Sequence, residues 1–147
     1  MKKLLLPFIL IIITSCQKNE FYSKEVLAEK VLKSLQENDF ELFKESVPSY
    51  EFVQKVTNMS VSEYDNYITE AFVKSQEEFT KKGYKASEFK LFKTNEPYRT
   101  YELDGFEYIR YHVIINNKDN VYLKLDFSDC IKTPEGYKLG ESIDIEK

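Results

Sequence analysis

Apolar residues recur at three- and four-residue spacing through the first half of the chain and at alternate positions through the second, so helices should come first and strands after them. Leu27, Val31 and Leu35, with Ala28 and Leu32 beside them, make one stripe of a helix that Ser23 can cap and that runs to about Asn38. The stripe breaks at Gln36-Glu37-Asn38-Asp39, and Asp39 can cap a short second helix carrying Phe40, Phe43 and Val47 before Pro48. Phe52, Val53 and Val56 suggest a third short helix between Ser49 and Thr57. The fourth carries the fullest set of signals. Ser60-Val61-Ser62-Glu63 is a capping box, Met59 and Tyr64 stand where a hydrophobic staple needs them, and Lys81-Lys82-Gly83 makes a cationic ending with a left-handed terminator. Val61, Tyr64, Ile68, Phe72, Ser75 and Phe79 give the helix between those caps one broad aromatic face, which needs a sheet to lie on.

The sheet is expected from Ser87–Thr94, Tyr98–Leu103, Phe106–Ile115, Val121–Phe127 and Tyr137–Ile145. Asp104-Gly105 reads as a tight hairpin turn, Asn116 to Asn120 as a longer one and Pro134-Glu135-Gly136 as a third. Val121, Leu123, Leu125 and Phe127 alternate with Tyr122, Lys124, Asp126 and Ser128, the pattern of a sheet covered on one side. In Phe106–Ile115 the second face also carries Phe106, Tyr108 and Ile114, so it is only partly polar. Helices followed by a meander predict an α+β fold, with the helices packed on an antiparallel sheet of four to five strands.

The first sixteen residues are of another kind. Lys2 and Lys3 precede an unbroken apolar run from Leu4 to Ile13, too short to span a bilayer and suited to the h-region of a secretory signal. Ile13-Thr14-Ser15-Cys16 resembles the lipobox of bacterial lipoproteins. That resemblance implies a cleaved signal peptide over residues 1–15, acyl chains on Cys16, a short tether over 16–22 and a single α+β domain over 23–147. The lipid chains would bury dozens of methylenes in the bilayer at roughly 0.8 kcal/mol each. Gln17-Lys18-Asn19-Glu20 is similar to the surface-export signal of Bacteroidota lipoproteins, departing from its acidic pattern at Asn19. The expected location is the outer membrane of a bacterial envelope, facing either inward or outward. At roughly 3.3–3.6 Å per extended residue the tether holds the domain within about 20 Å of the bilayer.

Charge narrows the partners. Taking Lys2 and Lys3 from the 21 basic residues leaves 19 against 25 acidic ones, a mature net charge of about −6. Nucleic acid and anionic headgroups want a basic face, so neither is expected as a partner. With Cys16 lipidated, Cys130 has no partner for a disulfide within the chain and is expected to be a small buried hydrophobe. One histidine and one such thiol do not make a metal-ligand motif, and no HExxH, Gly-x-Ser-x-Gly or phosphate loop occurs, so no metal, cofactor or catalytic residue is assigned.

The order of elements supports a family resemblance. Val26 to Phe43, ending Leu-Gln-Glu-Asn-Asp-Phe-Glu-Leu-Phe, is similar to the opening of nuclear-transport-factor-2-like domains, and Gly136-Tyr137-Lys138-Leu139-Gly140-Glu141-Ser142-Ile143 to the last strand of small secreted members, with Tyr137 where tryptophan is commoner. The resemblance implies a cone, a curved sheet wrapped on a long helix, in a fold that hosts enzymes, ligand binders and dimerisation modules alike. Two sites follow. Tyr108, Arg110, His112, Tyr122, Lys124 and Asp126 share a mixed aromatic and charged sheet face suited to a protein partner or a second copy of the chain. Phe72, Phe79, Tyr111 and Val113 would line the inside of the cone, for a small apolar ligand, if it is open. The expected function is a non-catalytic binding or assembly module acting through the sheet face. A small apolar-ligand-binding cone is the alternative, and after it an enzyme on the same fold.

Overall fold

The computed structural model describes residues 22–146. Cys16, the Gln17-Lys18-Asn19-Glu20 cluster and the expected signal peptide lie outside the described residues. Four helices open the described chain: α1 (Lys24–Glu37), α2 (Phe40–Glu45), α3 (Tyr50–Val56) and α4 (Val61–Lys81). Each begins at the hydroxyl or carboxylate the sequence offers. Ser23 accepts from the Val26 N–H, Asp39 from Leu42, Ser49 from Phe52 and Ser60 from Glu63, while the Glu63 side chain accepts in return from the Ser60 N–H. Such caps are worth about 1 kcal/mol each, and they matter most for α2 and α3, which have only six and seven residues.

Six antiparallel strands follow: β1 (Phe89–Thr94), β2 (Arg99–Leu103), β3 (Phe106–Asn117), β4 (Tyr122–Thr133), β5 (Gly136–Lys138) and β6 (Asp144–Glu146). The two long central strands pair with each other, and each carries two short strands along its other edge. β3 pairs with β2 over its first half and with β1 over its second; β4 pairs with β6 near its start and with β5 at its end. Asp104 and Gly105, both left-handed at φ 52° and 80°, make the two-residue turn between β2 and β3. The sheet is strongly curled into a half-barrel against which the helices pack, so the expected α+β architecture holds, with six strands where four to five are expected.

The expected strand Tyr137–Ile145 is therefore corrected: it is two short strands separated by Leu139–Ile143. The break follows from a bulge in β4. Ile109 pairs with Cys130 and Tyr111 with Phe127, so Ser128 and Asp129 together face Arg110, and Asp129 takes φ 51°. Residues after β5 do not continue along β4 past this extra residue. They cross it instead, with Gly140 so close that a Cβ there would stand 2.1 Å from the Asp129 carbonyl oxygen. The freed backbone groups find partners on the helices: Leu139 N–H donates to the Ser46 carbonyl and Ile143 N–H to Ser75 Oγ at 3.1 Å.

One core joins the helices to the inner sheet face. Leu27, Val31 and Leu35 of α1 and Ile68, Phe72 and Phe79 of α4 are buried with Ile109, Tyr111, Val113, Ile115, Leu125 and Phe127. The Tyr111 ring meets Phe127 at 5.1 Å, and its hydroxyl donates to the Lys24 carbonyl at the start of α1. Cys130 is fully buried, as expected of a small hydrophobe, and burial pushes its thiol pKa well up. Lys138, also buried, donates to the Glu45 carbonyl at the end of α2 and sits 3.6 Å from the centre of the Tyr22 ring.

Candidate functional site

The residues expected to line an open cone do not do so. Tyr111 and Val113 have no exposed surface and Phe79 almost none. Phe72 packs edge-on against Phe40 and Phe43 at 5.6 and 5.2 Å. The aromatic content of the chain fills the space between α1, α4 and the sheet, which makes these four side chains core.

A cavity of about 340 Å³ opens elsewhere, where the curl at the bulge turns one end of the sheet toward α3 and the first turns of α4. Tyr108 and Ile131, directly paired on β3 and β4, supply the sheet side. Phe52, Val53 and Val56 of α3 supply the opposite wall, with Met59, Tyr64 and Tyr67 closing the space between them. The lining is mainly apolar. No residue of α3 is fully buried; its apolar stripe lines the cavity, and Val53 and Tyr50 also pack against the edge of the core. Tyr50 steadies the helix, its ring lying 5.4 Å from that of Tyr64 and its hydroxyl donating to the Met59 carbonyl; Phe52 meets Phe106 at 5.3 Å.

Two carboxyl groups reach this apolar space, Asp129 from the bulge and Glu141 from the crossing segment. The bulge aims Asp129 at Arg110, whose guanidinium donates through Nε at 2.8 Å and through a terminal nitrogen at 2.7 Å, and Tyr101 donates its hydroxyl to the same oxygen. Burial opposes charge on Asp129, but the hydrogen bonds from Glu141, Tyr101 and Arg110 outweigh it and hold the pKa below the usual carboxylate range. Glu141 moves the other way. Its hydrogen bond to Asp129, then burial, then the Asp129 charge push its pKa up to about 7. Of the two, Asp129 is the one held as the anion and Glu141 the one pushed toward keeping its proton. Burial first, and then the charges of Glu141 and Asp129, push Tyr67 up to about 12; burial likewise raises Tyr108. The cavity thus presents tyrosine hydroxyls, a carboxyl group shifted toward its protonated form and a carboxylate. Such groups can donate to and accept from a polar atom on an apolar guest, and the pair can exchange a proton with one.

The expected partner face is brought together only in part. His112 pairs with Asp126, Ile114 with Lys124 and Asn116 with Tyr122 across β3 and β4, so those three expected residues and His112 do share one face. Arg110 is taken up by Asp129, and Tyr108 belongs to the cavity. Lys124 bonds Glu146, while Tyr98 stacks on the His112 imidazole at 4.6 Å and donates to Asp126 at 3.0 Å. Tyr122 remains half exposed and meets Phe92 edge-on at 5.2 Å. Asp129, Glu141, Tyr67 and Tyr101 are the site residues that sequence reasoning misses. Their one signal is the Ser128-Asp129 pair interrupting the alternation of β4. No family model, curated protein or solved structure matches the chain.

Proposed function

We propose that this protein is a binding protein of the bacterial envelope, anchored by lipid on Cys16, whose cavity beneath α3 holds a small apolar molecule bearing one carbonyl or hydroxyl group. The observation that carries this reading is the otherwise apolar cavity whose wall brings two carboxyl groups, Asp129 and Glu141, together. A volume of about 340 Å³ lies at the small end of the range for ligand sites. A protonated Glu141 donates to a carbonyl, and Asp129 accepts from a hydroxyl. The helices on a strongly curled antiparallel sheet support reading the domain as nuclear-transport-factor-2-like.

Titration of the full chain with phenylnaphthylamine, a neutral apolar fluorophore, tests the cavity. Saturable binding of one dye per chain is expected, weakened at least tenfold by Val53→Trp, which fills the space from the α3 side. No saturable binding, or a Val53→Trp protein that folds and binds as its parent does, refutes the reading. A second reading rests on the exposed Phe92 and Tyr122 rings: a second copy of the chain docks on the outer sheet face. Sedimentation should then show a dimer that Tyr122→Asp dissociates, and a monomer throughout the concentration range removes this second reading.

A further inference from the structure

On the outer sheet face, away from the cavity, His112, Asp126 and Glu146 converge from three adjacent strands. β3 carries His112, β4 carries its direct cross-strand partner Asp126, and β6 carries Glu146, which pairs with Lys124 and so lies diagonal to Asp126, two residues along on the same face. Nε2 of His112 lies 3.2 Å from Glu146 Oε1 and 3.8 Å from Asp126 Oδ1, and one ligand atom from each residue lies within 4.8 Å of the other two. Nitrogen and oxygen ligands at about 2.0–2.2 Å from a tetrahedral ion are separated from one another by about 3.3–3.5 Å. The two separations from the imidazole nitrogen, 3.2 and 3.8 Å, therefore bracket such an edge length before any ion arrives.

We propose that His112, Asp126 and Glu146 form a binding site for a divalent transition-metal ion, best suited to zinc, with the fourth position left to water. The imidazole argues against calcium and magnesium, which take oxygen ligands, and favours a borderline ion. The surroundings hold the ligands in place. Tyr98 covers one face of the imidazole, and the hydroxyls of Tyr98 and Ser128 each donate to a different oxygen of Asp126, at 3.0 and 2.7 Å. Asp144, the cross-strand partner of Asp126 on β6, places a third carboxyl group on the same stretch of sheet. Lys124 is the opposing element. Its ammonium bonds Glu146 through Oε2, the oxygen that does not face His112, so an ion at Oε1 leaves that contact intact but feels its charge. Lys124 should weaken the site without blocking it.

The test is isothermal titration of zinc into the full chain in detergent, stripped of metal and carrying Cys16→Ser so that this thiol does not compete. One ion per chain is expected, bound at least tenfold more weakly by both His112→Gln and Glu146→Gln and several-fold more tightly by Lys124→Met. A melting temperature raised by zinc in the parent, and unmoved in Glu146→Gln, provides the same readout if His112→Gln does not fold. Absence of saturable zinc uptake by the parent, or less than tenfold weakening in a folded ligand variant, overturns the proposal.

Discussion

Replacing Glu141 with glutamine keeps a hydrogen-bond donor beside Asp129 and removes the proton that the pair shares. In the parent, the folded state holds that proton up to a pKa of about 7, whereas the unfolded chain releases it near 4.5. Between those values the folded state binds more protons than the unfolded one, so this group's contribution to stability falls as pH rises. It is fully present below about 4.5 and gone above about 7. At about 1.36 kcal/mol per pH unit the interval corresponds to an upper bound of roughly 3.4 kcal/mol. Glu141 is exposed at the cavity mouth, and solvent screening brings the expected effect down to about 1–2 kcal/mol. Asp129 has the opposite sign: its lowered pKa gives stability that is present above the unfolded value of 3.8 and lost as pH falls through the folded one. The two effects occupy separate pH ranges.

Urea unfolding at pH 5 and pH 8.5 measures the difference. The chain has no tryptophan and 11 tyrosines, so far-ultraviolet circular dichroism with tyrosine emission is the natural signal. Glu141→Gln should lose about 1–2 kcal/mol less than the parent between the two pH values and be the more stable protein at pH 8.5. Parallel declines in parent and variant would show that Asp129 and Glu141 do not share a proton, and the polar end of the proposed ligand site would lose its basis.

Gly140→Ala should cost at least 2–3 kcal/mol in urea unfolding, because its Cβ would meet the Asp129 carbonyl at 2.1 Å and neither backbone can give way cheaply. An alanine variant as stable as its parent would mean that the crossing is not held against the bulge. Cys16→Ala should move the protein from the membrane to the soluble fraction of its host, since dozens of methylenes at roughly 0.8 kcal/mol each are lost with the acyl chains. Retention in the membrane fraction, or a parent without lipid mass on Cys16, contradicts the anchoring proposal.

Where local chemistry and periodicity agree, the structure follows the sequence closely. Ser23, Asp39 and Ser60 cap the helices expected of them, and the Asp104-Gly105 turn forms the hairpin. The site was harder to see because it depends on departures from regularity. Alternation places Tyr108 beside His112 on an outer face and gives no sign that the sheet curls enough to turn Tyr108 into a cavity. Nor does it distinguish a stripe that is core, such as Phe72 and Phe79, from one that lines an opening. That distinction depends on how much side-chain volume the neighbouring elements bring, and here Tyr111, Phe127 and Phe43 fill the space. The sheet-face cluster escaped for a different reason. Glu146 joins His112 and Asp126 only because the last strand is split and its second piece pairs with the start of β4.

The bulge at Asp129 links these departures. It inserts one residue opposite Arg110, which brings the Asp129 carboxylate to the guanidinium and stops the following chain from pairing along all of β4. The chain must cross, and only glycine fits at the crossing, so Gly140 delivers the next residue, Glu141, against Asp129. After the crossing, β6 takes up its register with Lys124, Leu125 and Asp126, and Glu146 arrives beside His112. One extra residue in one strand thus positions both the carboxyl pair of the cavity and the third ligand of the proposed metal site. Deleting Asp129 would restore a regular ladder and should abolish both, whereas a substitution within either site should leave the other intact.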